Sequence, residues 1–249
     1  MNSLYKLYIL LSIILIVIII YYYYNKKKIN IYFMNSQETS LFLQNDNDKY
    51  VKNLSKEDLY ARKVNSKEDY IDLITKSTYD FNEIQKNKLT LSCIRADNYL
   101  KTKNNWTFCL VNNNYEDGLP HTREDKIFLT KNLINYDIDR LTSLLIHENT
   151  HIIQRYNKEE TAKIVKDDLG FTISRNIKDE PLHRSNPDLD EFIYKDKDGK
   201  ELLCLYSSSK PDNIRDVILT NNSYEHPYEL MAYNKAEEYN KYLLNKYRD

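Results

Sequence analysis

Glycine and proline are scarce in this chain, at 3 and 5 of 249 residues, which excludes collagen-like and Gly/Pro-rich disordered classes. Cysteine is scarce as well. Cys93, Cys109 and Cys204 form an odd set without CxxC spacing, so they make no disulfide framework and suit a reducing compartment. Neither sign of charge is in excess: Lys+Arg 36 against Asp+Glu 37 gives a net charge of −1. That balance excludes a strongly basic nucleic-acid binder, and no nucleic-acid partner is expected. The length suits one folded domain plus a tail or an anchor.

Asn, Lys, Ile and Tyr together make 103 residues, a bias toward AT-rich codons that carries no fold signal. The hydrophobic residues are unevenly spread. Leu7 to Tyr24 holds 18 residues without a charge, extended by Leu4 and Tyr5. At about 1.5 Å per residue such a helix spans a hydrocarbon core of about 30 Å. Tyr21 to Tyr24 sit where an aromatic belt belongs, and Lys26, Lys27 and Lys28 follow them. A cleaved leader would end in small residues instead. Residues 1–24 therefore read as a retained transmembrane anchor, in contact with the bilayer through residues 4–24. The basic residues flanking the span tip the C-terminal part toward the cytosolic side by one charge. Sequons at Asn53, Asn105 and Asn221 are usable in a luminal domain, but an Asn-rich chain produces such triplets by accident. Beyond residue 28 the chain carries 32 basic and 37 acidic residues, net −5, and is not drawn to anionic lipid.

Residues 25–50 are polar and mixed, and read as a stalk; residues 51–249 read as the folded domain. Ser55–Asp58 and Ser66–Asp69 each carry Ser-Lys-Glu-Asp, an N-cap with acidic residues in the first turn. They open helices expected near 55–63 and 66–86, the second with Ile71, Ile74, Tyr79 and Ile84 at helical spacing; Leu91–Leu100 extends the helical reading. Thr107–Val111 and Lys126–Thr130 read as short strands, as do Phe171–Ser174 and Glu201–Tyr206. Asp137 or Asp139 caps a helix striped by Leu141, Leu144, Leu145 and Ile152, and Pro227 starts a last helix running to about Tyr247. The fold class is α+β, mainly helical.

The chemistry lies in those two helices. His147-Glu148-Asn149-Thr150-His151 is HExxH. Histidines at i and i+4 project from one helical face and can bind one divalent ion, and Glu148 beside them suits a general base for a metal-bound water. By composition the motif is expected about 0.006 times per chain. Its apolar flanks place it in a buried segment, where unpartnered imidazoles and a carboxylate are costly. An open hydrolytic site needs a third ligand. A compact extension needs glycine at 154 and histidine at 157, where this chain has Gln154 and Asn157. Glu229 is the candidate, because Glu229, Ala232, Ala236 and Leu243 form one helical stripe whose alanines permit close approach. Glu159, Glu160 and His183 are rivals. His226, Tyr228 and Tyr233 are candidates to stabilise an oxyanion. Arg155 can pair with a carboxylate behind the site or end its helix in solvent.

LLIHENTHIIQR followed by HPYELMA resembles the gluzincin group of zinc metallopeptidases. With LGF at 169–171, NPD at 186–188 and HPYE at 226–229, the chain is similar to uncharacterised zincin-like membrane proteins of large DNA viruses. The resemblance covers about residues 122–240. It implies a zincin-like domain, a small sheet packed on an HExxH helix with a C-terminal glutamate helix. It implies Zn2+ on His147, His151 and Glu229, with Glu148 activating water. It also implies that Lys126–Thr130 offers a strand edge to an extended peptide. The Glu-xxx-Asp continuation of the thermolysin type is absent, since Tyr233 stands there.

The expected function is a membrane-anchored zinc-dependent metallopeptidase-like protein acting on a peptide or protein substrate. The alternative is a non-enzymatic membrane or virion structural protein that keeps a zincin core. A more remote reading is a secreted hydrolase with a cleaved leader.

Overall fold

The computed structural model describes residues 29–101, 105–220 and 224–246, together with Ile14. The chain divides into two units, Met1–Asn30 and Ile31–Asp249, and the folded domain is the second. The expected anchor lies, but for Ile14, outside the described residues. Among the described residues no helix is long and apolar enough to cross a membrane.

The domain is α+β, about half helical, with small sheets. It opens with β1 (Ile31–Phe33), α1 (Ser36–Asn45), α2 (Tyr50–Asn53), α3 (Lys56–Ala61), α4 (Lys67–Thr75), β2 (Thr78–Tyr79) and α5 (Glu83–Leu100). Next come β3 (Trp106–Val111), β4 (His121–Arg123), β5 (Lys126–Thr130), α6 (Lys131–Ile134), α7 (Ile138–Tyr156) and α8 (Lys158–Lys163). Strands β6 (Thr172–Asn176), β7 (Phe192–Lys195), β8 (Glu201–Leu202), β9 (Cys204–Tyr206) and β10 (Val217–Leu219) precede the last helix, α9 (Pro227–Lys246).

The main sheet has the order β1-β3-β5-β4, and β2 also pairs with β3. Strands β1, β3 and β5 run parallel; β4 is antiparallel to β5. Alternation along the strands gives each face its own core. Cys109, Val111 and Phe128 join Phe42, Leu43, Tyr70 and Ile74 from α1 and α4. Phe108, Leu110, Ile127 and Leu129 point the other way and are fully buried, on the side where α7 lies against β4 and β5. Helix α7 is flanked by α5 and α9.

Two expectations are corrected here. Residues 31–50 are not a stalk. Ile31 to Phe33 register with Trp106 to Phe108 in the sheet, and α1 buries Thr39, Phe42 and Leu43 under an Asn35/Glu38 capping box. The helix expected over 66–86 stops at Thr75. The Thr75 and Ser77 hydroxyls donate back to the carbonyls of Ile71 and Leu73, 2.8 Å each, and β2 then joins β3. Asn82, in a capping box with Gln85, starts α5 afresh, which leaves Ile84 80% exposed instead of in the core. The strands read at 107–111 and 126–130 and the helices opened by Ser55, Ser66, Asp137 and Pro227 are all present. Gly170, in the LGF triplet, takes φ +75°, the left-handed backbone that ends the turn after α8.

Beneath the sheet's end lies a buried charged cluster. Arg62 Nη2 donates to Glu116 Oε2 at 2.6 Å, and its Nη1 lies 3.4 Å from Asp58 Oδ1. The Tyr70 and Tyr206 hydroxyls donate to Glu116 and Asp58 in turn. Burial pushes both carboxyls up, but Arg62, together with hydrogen bonds from Ser185 and Ser55 to Asp58 and from Tyr70 to Glu116, outweighs it and holds both below their ordinary range. Their charged forms therefore stabilise the fold above about pH 4.5, and that contribution is lost as pH falls through and below this value. Removing Arg62 strands two buried negative charges. Arg62→Met should lower the unfolding free energy by about 3–5 kcal/mol at pH 7. It should also reverse the acid limb, because protonation then relieves the stranded charges. Urea melts at pH 4 and pH 7 test both points; a loss below about 1 kcal/mol would show the cluster to be dispensable.

Candidate metal centre

Helix α7 positions the first part of the site. Asp137 accepts from the backbone N–H of Arg140 and sets the helix start. The helix then carries His147 and His151 on one face, with Nε2 atoms 3.1 Å apart. His226 begins α9: its carbonyl accepts from Leu230 N, and its Nδ1 accepts from Tyr228 N. Glu229 in the first turn of α9 thus points at the histidine pair, with Oε2 3.4 Å from His147 Nε2 and 3.8 Å from His151 Nε2. One ligand atom from each of the three residues lies within 4.8 Å of the others. Bonds of about 2.0–2.1 Å in a tetrahedron place ligand atoms about 3.3 Å apart, so the three match one small divalent ion.

The surrounding hydrogen bonds leave the right atoms free. His151 Nδ1–H donates to Gln154 Oε1 at 2.9 Å, which keeps Nε2 as the lone-pair face. Gln154 Nε2 donates onward to the Tyr228 carbonyl at 3.0 Å, tying α7 to α9. Asn186 Nδ2 donates to Glu229 Oε1 at 3.2 Å and to Glu225 Oε1 at 2.7 Å, so Oε2 faces the imidazoles. Glu225 is fixed by Arg184, 2.6 Å away. Burial raises the Glu229 carboxyl, but His151, His147 and Asn186 outweigh it and hold it at about 2. Glu148 is 1% exposed, and its Oε2 has no hydrogen-bond partner among the described residues. Burial, with Asp188 and Glu229 nearby, pushes its carboxyl well up.

His147, Glu148 and Glu229 line a cleft of about 980 Å³. Its walls are formed by the first half of α7, by residues of α9, and by Arg184, Cys204 and the β9–β10 segment. Tyr233 is on the cleft wall, its ring edge-on to His147 with centroids 4.6 Å apart.

His147, His151 and Glu229 are brought together; Glu148 lies beside them. The rivals are elsewhere: Glu159 and Glu160 are exposed on α8, and His183 pairs in a bridge with Leu205, its pKa pulled down to about 4 by burial. Two of the oxyanion candidates are structural. His226 is 2% exposed and turns Nε2–H toward Asp190 at 3.2 Å, and Tyr228 packs with Val165 and Tyr194. Tyr233 alone of the three lines the cleft. Arg155 does meet a carboxylate: Nη2 is 3.9 Å from Asp188 Oδ1 and donates to the Pro187 carbonyl at 2.9 Å. Lys126–Thr130 is not a sheet edge, since β5 lies between β3 and β4. The edge is β4, and its outward Thr122 N–H already donates to Asp188 Oδ1 at 2.7 Å. Sequence reasoning missed Gln154, Asn186 and Asp188 as supports; the NPD triplet at 186–188 was the signal for two of them.

Comparison with family models, with curated proteins and with solved structures finds no match to this chain.

If Gln154 and Asn186 orient the ligands, removing either should loosen the site without unfolding it. Gln154→Leu and Asn186→Ala should each weaken Zn2+ or Co2+ binding by about 10–100-fold, read by competition with a chromophoric chelator, with the far-ultraviolet spectrum unchanged. Unaltered affinity in both variants would remove them from the site.

Proposed function

We propose that the protein is a membrane-anchored, zinc-dependent metallopeptidase-like hydrolase of gluzincin type. One observation carries the reading: two imidazoles of α7 and a carboxylate of α9 converge at tetrahedral spacing on the wall of an open cleft, with a second carboxylate beside them. A scaffold that merely retained the fold has no need of a cleft open to the ligand set. The donor set of two nitrogens and one oxygen suits zinc, which when bound supplies Lewis acidity and a water acidified to a pKa of about 7.

The chain's own groups do the rest. His147, His151 and Glu229 hold the ion, and Gln154 and Asn186 fix their orientation. Glu148 takes a proton from the attacking water and delivers it to the leaving amine nitrogen. Tyr233 offers a phenol on the cleft wall as donor to the developing oxyanion. The uncharged run from Leu7 to Tyr24, with its flanking tyrosines and lysines, supports a single-pass anchor, and the flanking charges favour a cytosolic domain.

Glu148→Gln keeps the shape and removes the base. Hydrolysis of an unstructured protein such as casein should fall at least 100-fold, while the full chain still binds one zinc per molecule by atomic absorption. Glu229→Ala should lose zinc as well as hydrolysis. Undiminished hydrolysis in Glu148→Gln, or full zinc retention in Glu229→Ala, would overturn the assignment.

A further inference from the structure

Among the described residues, two of the arginines lining the cleft are paired with a carboxylate, Arg184 with Glu225 and Arg215 with Asp117, and the third, Arg140, is not. Of the acids at the end formed by the start of α7, Asp139 pairs with Arg95 at 2.5 Å and Glu237 with Lys241 at 2.9 Å, and Asp137 is engaged as the helix cap. Arg140 is different. It is exposed and lines the cleft, and no carboxylate among the described residues is paired with it. It is not loose, because its guanidinium carbon stands 3.6 Å over the centroid of the Tyr136 ring. Stacking holds the plane of the guanidinium while leaving its N–H edges free for a carboxylate. Leu133 and Leu144 give the same end of the cleft apolar walls.

Arg140 and His147 are seven residues apart, two turns of one helix, so both project from nearly the same face about 10 Å apart. An extended peptide advances about 3.3 Å per residue. A peptide bound along the cleft with its reacting carbonyl at the histidine pair therefore sets its third residue beyond that carbonyl opposite Arg140. Resting on the reading of the cleft as a peptide site, we infer that Arg140, stacked on Tyr136, is a specificity-determining residue that selects substrates with an acidic side chain about three residues from the scissile bond. Exposed arginine–carboxylate pairs are usually weak. This one gains from a pre-stacked guanidinium, from partly apolar walls and from the engagement of Asp137, Asp139 and Glu237 with other groups.

The test is binding, separate from turnover. Full-length Glu148→Gln protein loaded with zinc is titrated with fluorescein-labelled octapeptides of alanine and leucine. One carries Glu at the third position on each side of a central Ala-Leu bond; the other carries Lys there. The Glu peptide should bind at least five-fold more tightly, the preference should shrink in 0.5 M salt, and Arg140→Glu should invert it with zinc content unchanged. Equal affinity for the two peptides, a preference that survives Arg140→Glu, or no binding of either overturns the subsite. Cleavage of the Glu peptide by the protein with Glu148 intact is read alongside. Selective binding without cleavage keeps the subsite and counts against the hydrolase; cleavage without selectivity does the reverse.

Discussion

Three ligand atoms, two from adjacent turns of α7 and one from the first turn of α9, lie 3.1 to 3.8 Å apart, and the rest of the structure serves to keep them there. Nothing local forces Glu229 toward the imidazoles. A first-turn glutamate is favoured by the helix dipole wherever its helix points. What aims it is the seam between α7 and α9, where Ala232 is fully buried and Gln154 of one helix bonds the Tyr228 carbonyl of the other. A bulkier residue at 232 would hold the helices apart, and the carboxylate with them.

The segment from His183 to Asp188 connects the site to the scaffold. Ser185 donates from its backbone to Asp58 Oδ1 at 3.0 Å and from its hydroxyl to Asp58 Oδ2 at 2.6 Å. Arg184 clamps Glu225, Asn186 reaches Glu225 and Glu229, and Asp188 takes the edge of β4. Arg184 and Asn186 share Glu225, while Ser185 and Asp188 anchor elsewhere. The segment has little regular structure of its own, so its position comes from the buried Asp58–Arg62–Glu116 cluster on one side and from the ligand helix on the other. Fold stability and site geometry are therefore coupled through Ser185 and Asp58. The route from the charged cluster to the metal ligands runs through the adjacent residues Ser185 and Asn186.

Much of this was legible in the sequence where the signal is local. HExxH with apolar flanks, serine caps followed by acids, and a proline opening a helix that carries Glu229 all depend on spacings of a few residues. The failures are those of distance. Residues 31–33, Ile-Tyr-Phe, are too short an apolar run to be read as a strand alone within a polar stretch, and become one because Trp106 to Phe108 lie alongside. The apolar spacing from Ile71 to Ile84 matched a helix, yet β2 interrupts it because β3 offers a partner. The NPD triplet marked a turn at Asn186 and Asp188 but not their partners, since a loop side chain acquires its role from whatever the fold brings to it. His226 shows the opposite error. It lies three residues from a ligand in sequence, but at the N-terminus of α9 its ring turns back on its own helix and on Asp190, and proximity along the chain misled.

Glu148 is the point where stability and chemistry oppose each other. Its carboxyl is sealed from solvent, one oxygen lacks a partner, and two other carboxylates, Asp188 and Glu229, act on it electrostatically. An unsatisfied buried polar group typically costs about 1–3 kcal/mol, more when charged, and a core built for stability alone would place a leucine there. The neighbouring acids are already committed, Asp188 to Thr122 and Glu229 to Asn186 and the imidazoles, so neither can relieve it. Arg155, the nearest cation acting on it, is spent on backbone carbonyls and Asp188. Among the described residues, His121 Nε2 and Arg184 Nε of the same cleft are likewise buried without a hydrogen-bond partner, but Glu148 alone of these carries an acidic group beside the ligand set. An unpartnered acidic oxygen beside the metal ligands fits a group whose partner arrives with the reaction.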